Sequence, residues 1–299
     1  MNTGAHADSR AGRPEIPTRL LVHALVREDG TVDTDELHTV AGLLGMTDQQ
    51  VRLCVKRLVV EGRFTREGRG RKAVLHAVAD VTGAFAPDAA FVRHAYRQDT
   101  GLAPWDGTWH LFAFAVPESR RTARDALREH LLHLGAAPVH SGLYVTANPV
   151  AELVDAEARR LGVLDALTRL TTTDLRIGDT TEPRALAAAL WPLTGITERY
   201  EHLAAFAEAL RARLAEEPQP SDAERLTLAV ELAALFTAAM TPDPLLPPEL
   251  LPQPWPGTRA RRLTADCWNH LDPPARTGGS PAPRLFTLYA DALRPVDGG

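Results

Sequence analysis

The sequence predicts an α+β chain with three folded parts: an N-terminal winged helix-turn-helix, a ferredoxin-like middle domain and a helical C-terminal domain. Three observations predict it. Residues 47–72 read as a capped helix followed by a glycine-tipped basic hairpin, after two shorter helical segments. Residues 105–180 alternate strand and helix in the order β-α-β-β-α-β. Beyond residue 181 apolar side chains recur at helical spacing, interrupted by one proline-rich stretch.

Residues 1–15 are polar and unpatterned and are expected to form a disordered tail; residues 16–80 form the winged helix. Its first helix is expected from Pro17 to Glu28, with Leu20, Leu21, Ala24 and Leu25 on the inner face. Asp33 with Glu36 makes a capping box that opens a second helix through Leu37, Val40, Ala41 and Leu44. Thr47 with Gln50 makes another, and Gly62 closes the third helix. At about 100° per residue, Val51, Val55 and Leu58 share a stripe, while Gln49, Leu53 and Lys56 face the other way, flanked by Gln50, Arg52 and Arg57. A hairpin follows, with strands at 63–66 and 71–78 and a turn at Glu67-Gly68-Arg69-Gly70.

Charge singles out the same stretch. Residues 52–72 hold eight bases and two acids, a net of +6 in a chain of −5, so the remaining residues carry −11. A basic island on an acidic protein suits a polyanion; the competing reading is a solvated basic surface with no partner. In a helix-turn-helix the second helix braces the third, which enters a major groove about 12 Å wide.

Residues 81–104 are expected to be a connector with a short helix near Asp88–Tyr96. The 105–180 domain is expected to hold strands at 109–116, 136–140, 143–147 and 170–177 and helices at 119–134 and 150–161, the helices stopped by Gly135 and Gly162. The helical domain, 181–271, starts with helices at 182–193, 197–216 and 221–240, the last capped by Ser221 with Glu224. Seven prolines between Pro242 and Pro256 interleave with two leucine pairs and Trp255, which reads as an ordered strap packed on the helices. A helix at 257–271, a linker, and a short terminal helix near Phe286–Leu293 complete the 272–299 end.

No apolar run reaches eighteen residues and the N-terminus has no apolar signal core, so a membrane span and a secretory signal are not expected. Cys54 and Cys267 stand far apart without a C-x-x-C partner, as reduced thiols of a cytoplasmic protein would.

Three stretches carry a family resemblance: G-M-T-D-Q-Q-V-R-L-C-V-K-R-L-V-V-E-G; W-D-G-T-W-H-L-F with L-R-E-H-L-L-H-L-G and S-G-L-Y-V-T; and D-P-L-L-P-P-E-L-L-P-Q-P-W-P-G-T-R-A. Over roughly 16–271 the chain resembles the PaaX family, repressors of phenylacetate catabolism. The resemblance implies a winged helix, a ferredoxin-like (Cas2-like) middle domain and a helical C-terminal domain. It further implies a homodimer on double-stranded operator DNA and release by a small effector such as an acyl-CoA or aromatic acid. The chain departs from the family's aromatic-Trp-Asp-Leu motif at 190–193, which reads L-W-P-L.

The candidate DNA-binding residues are Thr47, Gln49, Gln50, Arg52, Leu53, Lys56, Arg57, Arg69, Arg71 and Lys72. Amides and guanidinium early on the third helix pair bidentately with base edges and Leu53 meets a thymine methyl, whereas Arg57 and the wing bases hold phosphates. The competing reading pairs them with Asp48 or Glu61. Candidate effector residues are Trp105, Trp109, Arg120, Arg124, Tyr144, Trp191 and Tyr200, read otherwise as plain core. The middle domain raises an alternative, a metal-dependent nuclease, which needs an acid at the end of the first strand. That strand ends A-F-A-V-P with Glu118 the nearest carboxylate, so no catalytic role is expected. His130, His133 and His140 lack a zinc spacing and Ser141 lacks a nucleophile elbow; no metal or cofactor is expected.

Overall fold

The computed structural model describes residues 14–78, 89–216, 218–271 and 283–286. They divide into two compact units, one drawn from 1–93, 199–240 and 259–299, the other from 94–198 and 241–258.

The first unit opens with α1 (Thr18–Ala24), β1 (Thr31–Asp33), α2 (Thr34–Leu43), α3 (Asp48–Val60), β2 (Phe64–Glu67) and β3 (Val74–Ala77). Both β1 and β2 pair antiparallel with β3, giving the order β1-β3-β2 with Val32 and Arg66 on either side of Leu75. This is the element order of a winged helix-turn-helix. Leu21, Leu25, Val32, Leu37, Val51, Leu58, Phe64 and Leu75 are buried within it.

Several expected limits shift for physical reasons. The first helix ends at Ala24 instead of Glu28, because the chain turns there and Arg27 donates its amide to the Thr31 carbonyl at 2.8 Å while bridging Pro283. β1 is absent from the sequence prediction; three residues are too few to show a strand period. Asp33 caps α2 through the Asp35 and Glu36 amides, but Glu36 accepts from Arg27 at 2.9 Å instead of closing the box. The wing's second strand starts at Val74, with Gly70–Lys72 in a 3₁₀ turn.

The unit continues through α8 (Leu193–Ala215), α9 (Asp222–Met240) and α10 (Pro256–Leu271), of which the residues from 199 and from 259 belong to it. Ser221 and Glu224 form the expected box at the start of α9. Buried residues recur on every side of α9, from Leu226 to Met240, as befits a central helix. α9 packs against α2. The helix expected from Thr197 begins at Leu193, four residues early. Pro192 stands just before it, where no backbone N–H is needed, and accepts from the Ile196 amide at 3.4 Å. Of the expected terminal helix only 283–286 lie among the described residues; Leu285 and Phe286 are buried, Phe286 5.7 Å from Trp268.

The second unit holds the end of α4 (Ala89–Asp99), then β4 (Trp109–Phe114), α5 (Arg121–His133), β5 (Ala137–His140), β6 (Leu143–Thr146), α6 (Ala151–Arg160), β7 (Leu167–Thr172) and α7 (Pro183–Leu190). The sheet order β5-β6-β4-β7, antiparallel throughout, is the ferredoxin-like arrangement. The last strand, expected at 170–177, lies three residues earlier as β7, its register set by β4 with Leu170 opposite Leu111. Phe112, Leu127, Leu131, Tyr144, Val154 and Val163 form the core beneath α5 and α6.

The proline strap belongs to this unit, where its turn at Pro248–Leu250 packs, as expected, on one of the predicted helices of the C-terminal part, α7. Asn148 donates its amide to the carbonyls of Pro244 (3.2 Å) and Leu245 (2.9 Å), and Gln98 donates to Leu245 at 2.8 Å. Leu245, Leu246, Leu250, Leu251 and Trp255 are buried. Gly135, at φ +80°, passes so close that a Cβ there would run into the Pro244 carbonyl. Proline removes donors that such an extended segment could not satisfy, and the side-chain amides satisfy its acceptors.

Candidate nucleic-acid interface

The α3 N-terminus is built as the sequence predicts. The Gln50 amide donates to Thr47 Oγ1 at 3.2 Å, and Gln50 Oε1 accepts from the Thr47 amide (2.7 Å) and hydroxyl (3.0 Å). That box commits Gln50 locally. With its carbonyl occupied, only its NH₂ remains for a base, and bidentate pairing with adenine needs both. Gln49 has no such duty and is exposed, as are Arg52, Leu53, Lys56 and Arg57. The inner stripe of Val51, Val55 and Leu58 is buried. A groove of about 320 Å³ runs along α1 and α3, lined by Thr18, Arg19, Gln50, Leu53, Cys54 and Arg57.

The wing is tied to the rest by α2. The Thr34 hydroxyl, at the start of α2, is buried among the carbonyls of Gly70, Arg71 (2.8 Å) and Ala73. Gly68, at φ +82°, makes the tip, where an L side chain would be strained. Arg69, Arg71 and Lys72 are all exposed.

The bases divide into two groups. Lys56, Arg57, Arg69 and Lys72 form no ion pair with a described residue. Arg52 and Arg71 instead converge on Asp48, at 3.6 and 3.4 Å, and Arg71 also reaches Asp35 at 3.8 Å. His38 of α2 holds the other Asp48 oxygen at 2.8 Å. The Asp48 carboxyl is held below the usual carboxylate range, first by the His38 hydrogen bond and then by Arg71. Glu61, the other acid expected to compete, pairs with Arg19 at 2.8 Å. His38 gave no signal in the sequence, because its contact with Asp48 crosses from one helix to the next.

The expected effector residues divide between the two units. Trp105 and Trp109 meet edge to face at 5.2 Å, Trp109 stacks on Trp191 at 6.3 Å, and Trp191 Nε1 donates to the Gly135 carbonyl at 3.0 Å. Tyr144 is buried and stacks on Phe114 at 5.6 Å. Arg120 donates to the Gly162 carbonyl at 2.7 Å, and Arg124 pairs with Glu118 at 2.7 Å. Tyr200 belongs to the other unit, where Arg261 donates to its hydroxyl at 2.8 Å. Trp109, Tyr144, Trp191 and Tyr200 are buried, and the two arginines make local contacts. The Arg124 contact also engages Glu118, the carboxylate nearest the end of the first strand. Among the described residues no three His, Cys, Asp or Glu side chains gather as metal ligands, and no helix is long and apolar enough to cross a membrane.

Comparison with known proteins bears on residues 102–187 and 191–277, more than half of the chain. The model of the PaaX protein central Cas2-like domain matches residues 102–187, and that of the PaaX-like protein C-terminal domain matches 191–277. The chain belongs to the PaaX family. The Cas2-like match covers all four strands of the β5-β6-β4-β7 sheet, and the C-terminal match covers α8, α9, the strap and α10. PaaX domains fit a transcriptional regulator, and the family is generally regulatory, not enzymatic. No curated protein matches the chain. Among solved structures, an uncharacterized protein from Mycobacterium tuberculosis is 21% identical, with 85% of this chain and 94% of that one covered at a TM-score of 0.46.

Proposed function

We propose that this PaaX-family chain is a sequence-specific DNA-binding transcriptional regulator of the cytoplasm, a repressor that binds operator DNA as a homodimer and leaves it when a small effector binds. The observation that supports this most is the outward face of α3 with its wing. Gln49, Arg52, Leu53, Lys56, Arg57, Arg69, Arg71 and Lys72 are all exposed on one winged-helix motif within a chain of net charge −5. Gln49 and Arg52, on the first two turns of α3, are the base readers; Lys56, Arg57 and the wing bases hold phosphates. Thr47 and Gln50 hold the helix start in shape.

Four of the five aromatic residues expected to take the effector, Trp109, Tyr144, Trp191 and Tyr200, are buried, which directs attention to α2. A cleft of about 230 Å³ lies where α2 meets α9, lined by Leu43, Arg213, Pro220, Glu224, Thr227, Leu228 and Glu231. It is smaller than the roughly 300–1,000 Å³ of common ligand pockets, so it suits a small effector better than a whole CoA thioester. A ligand there would press on the helix that braces both α3 and the wing.

Selection of bound duplexes from a random pool tests the reading, followed by anisotropy titration across salt. A palindrome with half-sites about 34 Å apart is expected. If each protomer neutralises three phosphates, the log–log salt slope is about −5 or steeper. A flat salt response with no enriched sequence would overturn the assignment.

A further inference from the structure

Asp48 is a carboxylate in the middle of a face otherwise built to receive an anion. Part of its presence is ordinary, since an acid in the first turn of a helix is favoured by the helix dipole. Its partners are not explained that way. One oxygen is held at 2.8 Å by His38, whose side chain is only 10% exposed, from a different helix. The other oxygen is shared by two arginines from two elements: Arg52, one turn along α3, and Arg71 on the wing.

The distances rank these contacts. The His38 bond is short and sheltered, so it fixes where the carboxylate sits. The arginine contacts, at 3.6 and 3.4 Å, join side chains 73% and 57% exposed. Exposed pairs of this kind are weak because water screens both charges, so a phosphate or guanine edge can replace them. Until then they restrict both guanidinium groups and join the wing to the recognition helix through one atom. A fixed negative charge at that place also opposes any backbone phosphate that approaches in the wrong register, which disfavours non-cognate duplexes more than the cognate one.

We propose that Asp48 is a specificity-setting positioning residue: anchored by His38, it gathers Arg52 and the wing's Arg71 onto one oxygen and releases them only to a duplex that engages both. This rests on the DNA-binding reading above. In operation the acid lowers affinity for random sequence and leaves the cognate duplex little affected.

The test uses Asp48→Asn in the full-length protein, measured on the selected duplex and on a random duplex at one salt concentration. The variant is expected to bind random duplex about fivefold tighter and the selected duplex with little change, so that the specificity ratio falls. In an Arg71→Ala background the same substitution should change the ratio much less, because the two residues act as a pair. An unchanged ratio, or an equal change in both backgrounds, would overturn the proposal. Amide hydrogen exchange at 69–73 in the DNA-free protein supplies a readout independent of DNA. Asp48→Asn should quicken exchange there and leave the core of α3 unaltered. Unchanged wing exchange overturns the clamp even if the wild type proves to bind no DNA, an outcome that would separately defeat the regulatory reading.

Discussion

The α3–wing face and the tryptophan–proline block put side-chain hydrogen-bonding groups to opposite uses. In the block, large side chains point inward and their polar atoms are spent: Trp191 on Gly135, Asn148 on Pro244 and Leu245, Gln98 on Leu245. On the α3 face, Gln49, Lys56 and Arg57 are exposed, and their side chains pair with no other described residue. Residue type alone does not separate the two, since a glutamine serves in each: Gln98 is buried against the strap and Gln49 is exposed on α3. What separates them is exposure together with unspent donors.

That contrast can be broken most forcefully in the block. Trp109→Ala removes the ring between Trp105 and Trp191 and should cost about 3–5 kcal/mol in denaturant unfolding. If the loss were small and a ligand filled the gap, the aromatics would be a pocket after all. Asn148→Ala comes next. It leaves the Pro244 carbonyl without its donor and should cost about 1–3 kcal/mol, with no change in the DNA sequence preferred by the folded fraction.

On the α3 face the effects should appear in binding and not in folding. Gln49→Ala is expected to relax discrimination at one base position by about 1–3 kcal/mol, whereas Arg57→Ala should weaken all sequences alike and make the salt slope shallower by about 1. Equal losses from both, across all sequences, would remove the division between base readers and phosphate holders. Thr47→Ala bridges the two behaviours. Losing the cap should lower stability by about 1 kcal/mol and blunt specificity through the fraying of the first turn.

The smallest expected effect is in pH. Burial lowers the pKa of His23, which sits edge-on to Phe64, and of His94, which donates to Asn148. Below the ordinary value of 6.5 the unfolded chain takes up protons that the native histidines resist, so stability should fall as pH drops through that range. His94→Gln, which keeps a donor for Asn148, should make the fall shallower in denaturation measured at about pH 7.5 and about pH 5.5. An unaltered slope would place the acid sensitivity elsewhere.

Much of the fold was legible because the interactions that announce it are local. Thr47 with Gln50 and Ser221 with Glu224 stand three residues apart, and a capping box needs nothing more distant. Gly62, Gly135 and Gly162 adopt positive φ where their helices end, a conformation open to glycine without strain. The outward face of α3 was equally readable, since helical period alone sets it opposite Val51, Val55 and Leu58. β1 escaped notice because three residues acquire a strand only from the partner they meet, here Val74–His76.

The sequence by itself determined the element types, most helix limits, the basic face and the family, all of which depend on neighbours within a few residues or on matched motifs. Only tertiary structure decided that the strap joins the ferredoxin-like unit, that the tryptophans stack on one another, and that Asp48 lies between His38, Arg52 and Arg71. Those contacts join residues as far apart as 98 and 245, or 48 and 71, and no local periodicity encodes which distant surface a side chain will meet. Burial and charge pairing are properties of the folded whole, and they decided which of the candidate residues were left free to bind.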